Sequence, residues 1–221
     1  MSRRWDCILF DLDGTLTDPK VGITTATAYA LERFGIREDP DNLTGFIGPP
    51  LADSFREVYG FSEEQAAEAV RQYRVYYVDR GWRENVPYKG IDTFLGALKA
   101  SGKKLLVATS KPEVTSIRIL RHFKLDGYFD LICGPPPDDL EASRKPRVIE
   151  DALRRAGVSD RGSAVMVGDR RFDVEGAHAV GLKAVGVLYG YGSREELTAS
   201  GADRLAANVE ELYNILTEEG D

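Results

Sequence analysis

The stretch Cys7-Ile8-Leu9-Phe10-Asp11-Leu12-Asp13-Gly14-Thr15-Leu16 decides how this chain is read. Its first four residues are a short apolar run, the size of one strand. The run stops at two carboxylates two positions apart. In an open parallel sheet, ligands bind beyond the carboxyl ends of the strands, which is where Asp11 and Asp13 fall. Neighbouring carboxylates repel each other and lose hydration there unless a proton or cation joins them. A hard divalent ion with oxygen ligands resolves the conflict, and Mg²⁺ suits a site where phosphate completes its shell. Gly14 allows a sharp turn and a close approach of the backbone to an anion. A capped strand-end turn accounts for the same residues without chemistry, so the motif needs company.

Outward from this point, short apolar runs alternate with longer helical patterns. Leu105–Ala108, Leu131–Cys133, Ala164–Val167 and Ala184–Val187 read as further strands, with a short edge strand near Arg204-Leu205. Between and after them lie helical patterns over Gly90–Ser101, Val114–Phe123, Arg147–Ala156, Val174–Val180 and Val209–Leu216. Gly102, Gly127, Gly157 and Gly181 stand where helices should stop. This rhythm predicts an α/β fold: a Rossmann-like, doubly wound parallel sheet with helices on both faces. The segment from about Leu16 to Arg83 breaks it, reading as consecutive helices (Ile23–Phe34, Leu51–Tyr59, Ser62–Tyr77) with no strand. Ser62-Glu63-Glu64-Gln65 opens the last of these as a capping box. The expected organisation is a core of residues 1–15 and 86–221, with an all-helical unit over 16–85 inserted after the first strand and returning through a Pro- and Gly-bearing linker.

Three other pieces fall on the same predicted sheet edge. Thr109-Ser110-Lys111 follows one strand and precedes a helix, so hydroxyls and helix N–H groups converge where an anion would sit. Lys145 opens the next helix, and Gly168-Asp169-Arg170-Arg171-Phe172-Asp173 follows the fourth strand with two more carboxylates. Each has a plain structural reading: an N-cap at Thr109, a solvated lysine, a helix cap at Asp173. Their common placement is hard to obtain from independent structural causes.

The chain has 221 residues, 43% of them hydrophobic, enough for a core without metal or disulfide staples. A net charge of -7 and a pI near 5.1 argue against a nucleic-acid polymer or an anionic membrane as the main partner. Cys7 and Cys133 lie in apolar runs with no metal-ligand spacing, which fits buried small hydrophobes in a reducing compartment. The apolar run Cys7–Phe10 is too short for a secretory signal, and no stretch approaches the roughly 18 apolar residues of a membrane span. A cytoplasmic protein, monomeric or weakly dimeric, is expected. His122 and His178 are too far apart in sequence for a Ser-His-Asp or zinc constellation.

Together these pieces resemble the haloacid dehalogenase-like hydrolase superfamily, in its branch of phosphoglycolate phosphatases and 5'-nucleotidase-like phosphatases with an α-helical cap. Asp11-x-Asp13-Gly14-Thr15 matches the first family motif, Thr109-Ser110 the second, Lys145 the third and Gly168-Asp169-x-x-x-Asp173 the fourth. Phe46-Ile47-Gly48-Pro49-Pro50-Leu51 and Leu188-Tyr189-Gly190-Tyr191-Gly192-Ser193 also resemble that branch. One departure is Lys145-Pro146-Arg147, where many relatives have Pro-x-Pro after the lysine. Lys145 still fits the pattern better than Arg144 or Lys124.

The resemblance implies a magnesium-dependent phosphatase acting on a small phosphorylated metabolite: phosphoglycolate, a nucleoside monophosphate or a sugar phosphate. Asp11 would be the nucleophile and Asp13 the general acid and base. Thr109, Ser110 and Lys145 would hold the phosphate. Mg²⁺ would sit on Asp11, the backbone carbonyl of Asp13, Asp169 and, directly or through water, Asp173. A phosphomutase on the same scaffold is the first alternative, and a non-catalytic phosphate-binding module a more distant one. A dehalogenase would leave Asp13 without a task.

Overall fold

The computed structural model describes residues 5–137, 139 and 141–218, so the outer limits of the predicted core, residues 1 and 221, lie outside it. The chain begins with strand β1 (Cys7–Phe10) and a two-residue strand β2 (Thr17–Asp18). Helices α1 (Lys20–Glu32), α2 (Leu51–Tyr59) and α3 (Glu63–Asp79) follow, and the chain returns through β3 (Val86–Pro87), which pairs with β2. Helices and strands then alternate: α4 (Ile91–Ala100), β4 (Lys104–Ala108), α5 (Glu113–His122) and β5 (Leu131–Cys133). They continue as α6 (Lys145–Arg155), β6 (Ala164–Gly168), α7 (Arg171–Ala179), β7 (Lys183–Val187), α8 (Arg194–Ala199), β8 (Arg204–Ala206) and α9 (Val209–Thr217).

Two compact units result. One holds residues up to Thr17 and from Pro87 onward, the other Asp18–Val86. The changeovers expected at 15/16 and 85/86 fall at 17/18 and 86/87 in the compact units, and β2, paired with β3, places a short strand in a stretch expected to hold helices alone.

The first unit is built on a six-stranded sheet in the order β5-β4-β1-β6-β7-β8, every pairing parallel. Its inner strands are apolar because both faces are covered, as parallel sheets require. On one face Cys7 and Leu9 of β1 join Leu106, Met166 and Ala184 against Val148, Ile149, Ala152 and Leu153 of α6 and Val174 and Ala177 of α7. The alternate residues, Ile8 and Phe10, are equally buried and face the other way. There Phe10 meets Phe94 of α4 edge-on at 5.8 Å between ring centres, and Phe94 meets Tyr213 of α9 at 6.4 Å. The chain moves outward from β1 through β4 to β5, then crosses back to β6 on the other side of β1. The carboxyl ends of β1, β4 and β6 therefore lie at the point where the winding reverses, the ligand-binding crevice of such sheets.

The helical unit packs α1 against α3, and α2 against α3. The predicted capping box is present: the Ser62 hydroxyl accepts from the Gln65 N–H at 3.2 Å, and Gln65 Oε1 accepts from the Ser62 N–H at 2.9 Å. Phe34, Phe46, Phe55, Tyr59 and Phe61 form one aromatic cluster within it. Pro40–Phe46 and Gly81–Glu84 form 3₁₀ turns that apolar periodicity does not reveal, and α8 was likewise not anticipated. One helix stop also differs. Gly102, Gly157 and Gly181 take positive φ as expected, but α5 is ended by Lys124 at φ 59°, and Gly127 lies in the 3₁₀ turn that follows.

The backbone closes tightly at Gly22 in α1, where an added Cβ would lie 2.1 Å from the carbonyl oxygen of Gly81. Alanine normally favours a helix by about 1 kcal/mol over glycine. Here the backbone neighbour cannot yield, so Gly22→Ala is expected to destabilise by about 1–3 kcal/mol. At Gly45 an added Cβ meets nothing within 4 Å, so Gly45→Ala should stay within about 0.5 kcal/mol of wild type. Thermal unfolding of the two variants, followed by circular dichroism, checks this; equal melting points would show that α1 has slack at Gly22.

Candidate active site

Asp11 follows β1 directly, and its N–H donates to the Val167 carbonyl at 2.9 Å, so β6 fixes where the turn begins. The turn then tightens: the Leu12 carbonyl accepts from the N–H groups of Leu16 and Thr17 at 2.9 and 3.0 Å. Gly14 is required twice over. It takes φ +81°, and an added Cβ would fall 2.2 Å from Asp169 Oδ2. The first motif is thus pressed against the carboxylate of the fourth.

Asp169 is fully buried, and both of its oxygens are held. Oδ1 accepts from the Thr15 hydroxyl at 3.2 Å, and Oδ2 accepts from the Tyr191 N–H at 2.8 Å. The loop carrying Tyr191 can come this close because it is glycine-rich: a Cβ on Gly190 would lie 2.4 Å from Asp169 Cβ, and one on Gly192 would lie 1.9 Å from the Asp169 carbonyl oxygen. Tyr189 donates its hydroxyl to the Thr15 carbonyl at 3.1 Å, tying the same loop to the first motif.

Lys145 is the first residue of α6. Its Nζ stands 2.9 Å from Asp11 Oδ1 and 2.7 Å from Asp173 Oδ1, and donates to the Ala108 carbonyl at 3.3 Å. Its stem passes Gly176 of α7, where a Cβ would come within 2.7 Å of Lys145 Cγ. Asp173 caps α7 as expected, its Oδ2 accepting from the Arg170 N–H, while its Oδ1 faces Lys145. Arg144 pairs with Glu141 and Lys124 is exposed. Thr109 is buried at the end of β4, its N–H donating to the Cys133 carbonyl at 3.1 Å, and Ser110 beside it is half-buried.

Asp13 is partnered by a residue that sequence reasoning left without a role. Its Oδ2 accepts from Lys111 Nζ, with both side chains largely buried. Lys111 stands in the quoted Thr109-Ser110-Lys111 segment, but a lysine after a strand-end hydroxyl pair looks the same whether it turns in or out. Tyr191 holds Asp169 through its backbone N–H, which side-chain identity does not advertise.

Four carboxylates, Asp11, Asp13, Asp169 and Asp173, therefore meet two ammonium groups, leaving a formal charge of −2 in a buried place. Burial, together with the charges of Asp173 and Asp11, pushes Asp169 well above the ordinary carboxylate range. Burial also raises Asp173, against the opposing pull of Lys145, and raises Asp13, against that of Lys111. Burial disfavours the Lys145 charge, but Asp11 and Asp173 more than offset this and hold its pKa above normal. One carboxylate oxygen from each of Asp11, Asp169 and Asp173 lies within 4.8 Å of the others. The Oδ1 atoms of Asp11, Asp13 and Asp173 are buried and accept no well-directed hydrogen bond from the described residues. A hard divalent cation fits the clustered oxygens of Asp11, Asp169 and Asp173 and would offset the surplus charge.

A separate cavity of about 480 Å³, lined by Cys133, Gly134, Asp151 and Arg154 among others, contains none of these residues. The Cys133 thiol there is pushed up to about 12 by burial and by Asp151, which leaves it inert as a nucleophile.

Comparison with known proteins agrees with the geometry. The family model described as haloacid dehalogenase-like hydrolase matches residues 8–187. A 5'-nucleotidase of Pseudomonas aeruginosa is 42% identical over 215 residues, 96% of each chain. The tyrosine-protein kinase PtkA of Mycobacterium tuberculosis is 38% identical over 212 residues, 95% of this chain and 72% of that one. The crystal structure of a predicted phosphatase from Clostridium acetobutylicum superposes with a TM-score of 0.94 at 45% identity, covering 98% of this chain and all of that one. With the motif residues converging at the carboxyl edge of this sheet, the chain belongs to the haloacid dehalogenase-like hydrolases, as one of their phosphatases.

Proposed function

We propose that the protein is a magnesium-dependent phosphomonoesterase that passes a small metabolite's phosphoryl group through Asp11. The observation that carries this reading is the division of the carboxylates: Asp11 shares a cation-sized cluster with Asp169 and Asp173, while Asp13 stands apart on Lys111. One carboxylate can then act on phosphorus while another handles protons.

In the first step an Asp11 carboxylate oxygen bonds to phosphorus in line with the departing ester oxygen. The P–O ester bond breaks, and Asp13 in its protonated form gives its proton to the leaving alkoxide. In the second step Asp13, now a carboxylate, takes a proton from a water whose oxygen attacks the same phosphorus. The Asp11–phosphorus bond breaks, inorganic phosphate leaves, and both aspartates return to their starting forms. Thr109, Ser110 and Lys145 hold the non-bridging oxygens, Lys145 from the position in which it already faces Asp11. Asp11, Asp169, Asp173 and the Asp13 backbone carbonyl are the groups that would hold Mg²⁺. When bound, that ion supplies charge neutralisation between carboxylate and phosphate.

Nucleoside monophosphates head the substrate classes, supported by the name of the Pseudomonas relative, with phosphoglycolate and sugar phosphates beside them. On this reading the helical unit is the cap that selects among esters, and the protein works in the cytoplasm as a monomer or weak dimer. Among the described residues no helix is long and apolar enough to cross a membrane. A second reading, transfer of the phosphoryl group to a tyrosine hydroxyl instead of water, draws support from the similarity to PtkA.

Phosphate release from a panel of phosphomonoesters with Mg²⁺ tests the proposal. Asp11→Asn should lower kcat to below about one-thousandth of wild type, and chelation should abolish turnover until Mg²⁺ is restored. Release that survives either treatment would overturn the mechanism. Absence of release, with label moving from ATP to tyrosine or between sugars, would replace hydrolysis by transfer.

Asp13→Asn should cost about 10²–10⁴-fold in kcat. Acid quench should trap phosphoryl-enzyme when the leaving group is nitrophenolate, which needs no protonation. A variant that turns over nitrophenyl phosphate at the wild-type rate without trapped intermediate would remove Asp13 from the second step.

A further inference from the structure

Two lysines divide the carboxylates of the site. Lys145 faces Asp11 and Asp173, whereas Lys111 pairs with Asp13. The side-chain carboxylates able to share a cation are those of Asp11, Asp169 and Asp173, and the Asp13 carboxylate is not among them. Its exclusion is not explained by sequence position, because Asp13 stands two residues from Asp11 on the same tight turn.

Lys111 supplies the missing constraint. Its side chain is 9% exposed and that of Asp13 14%, so the pair is largely out of water. Its backbone is anchored as well. The Lys111 N–H donates to Thr109 Oγ1 at 3.3 Å, and its carbonyl accepts from the Ser116 hydroxyl at 3.5 Å. A Cβ on Gly134 would lie 2.4 Å from that carbonyl oxygen, so the β5 loop closes on it from another side. For Asp13 to join the cation cluster, its largely buried ion pair with Lys111 would have to break, a costly exchange.

We infer that Lys111 is a positioning residue that keeps the Asp13 carboxylate out of the metal cluster and holds it in one place for proton transfer. What Asp13 then does rests on the phosphatase reading above; the sorting of the carboxylates does not. Removing the ammonium should release Asp13 toward the cation. Metal would then bind more tightly while turnover falls, a pairing that simple loss of structure does not produce.

The experiment combines calorimetric Mg²⁺ titration with steady-state kinetics on wild type, Lys111→Met, Lys111→Arg, Asp13→Asn and the double variant Lys111→Met with Asp13→Asn. Lys111→Met should tighten Mg²⁺ binding by about threefold or more, and in the Asp13→Asn background the same change should shift it by less than about twofold. In turnover, Lys111→Met should lose about 10–100-fold in kcat with KM nearly unchanged, and Lys111→Arg should recover part of that loss. Tightening that persists in the Asp13→Asn background would mean a general charge effect and overturn the inference. So would unchanged affinity, or a loss of affinity together with rate. If wild type releases no phosphate from any ester, the phosphatase reading fails, and the binding cycle still decides whether Lys111 sorts the carboxylates.

Discussion

Mutual repulsion among buried carboxylates is the constraint on which this structure turns. Asp11, Asp13, Asp169 and Asp173 are brought within a few side-chain lengths where water cannot dilute their charge. Such a concentration is costly on its own, and breaking one buried ion pair by removing a partner costs about 3–5 kcal/mol. The fold answers with Lys145 and Lys111, each delivered from the start of a helix or helix-leading turn at the same sheet edge. Two cations against four anions leave the site short of neutral, an imbalance that a divalent cation on Asp11, Asp169 and Asp173 would offset. Had the lysines matched the carboxylates one for one, the place would be an inert salt cluster.

The surrounding scaffold is shaped to permit this crowding. Gly14, Gly168, Gly176 and Gly190 each stand where a single extra carbon would collide with Asp169, Asp173 or Lys145. These residues form a wall with no side chains of its own, so that the charged groups become the side chains of the cavity. The parallel sheet supplies the rest. The ends of its central strands aim successive turns at one crevice, and the apolar layers on both faces keep those turns from shifting.

Much of this is written legibly in the chain. The positions of the four inner strands and of edge strand β5, the break in rhythm after Leu16 and the carboxylates of both Asp motifs follow from apolar runs and from what can terminate them. Lys145 could be placed only because its fellow motif residues all pointed to one edge. What escaped has a common physical origin. The 3₁₀ turns and α8 are too short for periodicity to register. Lys124 ends a helix in a left-handed conformation that a glycine three residues on appeared better suited to adopt. Lys111 and the Tyr191 N–H act through tertiary proximity, which no local pattern encodes.

The strand order has a consequence for how the molecule comes into being. β1 pairs with β4 through Cys7 and Lys104 and with β6 through Cys7 and Ala164, so its two neighbours are made long after it. Closing such distant pairs is entropically slow. A growing chain holds Asp11 and Asp13 with no partner sheet until β4 emerges, and with no Asp169 until β6 has followed. The crowding of Asp169 and Asp173 against Asp11 and Asp13 is thus imposed only when β6 has paired with β1. The carboxylate cluster is then complete only once the last central strand has docked.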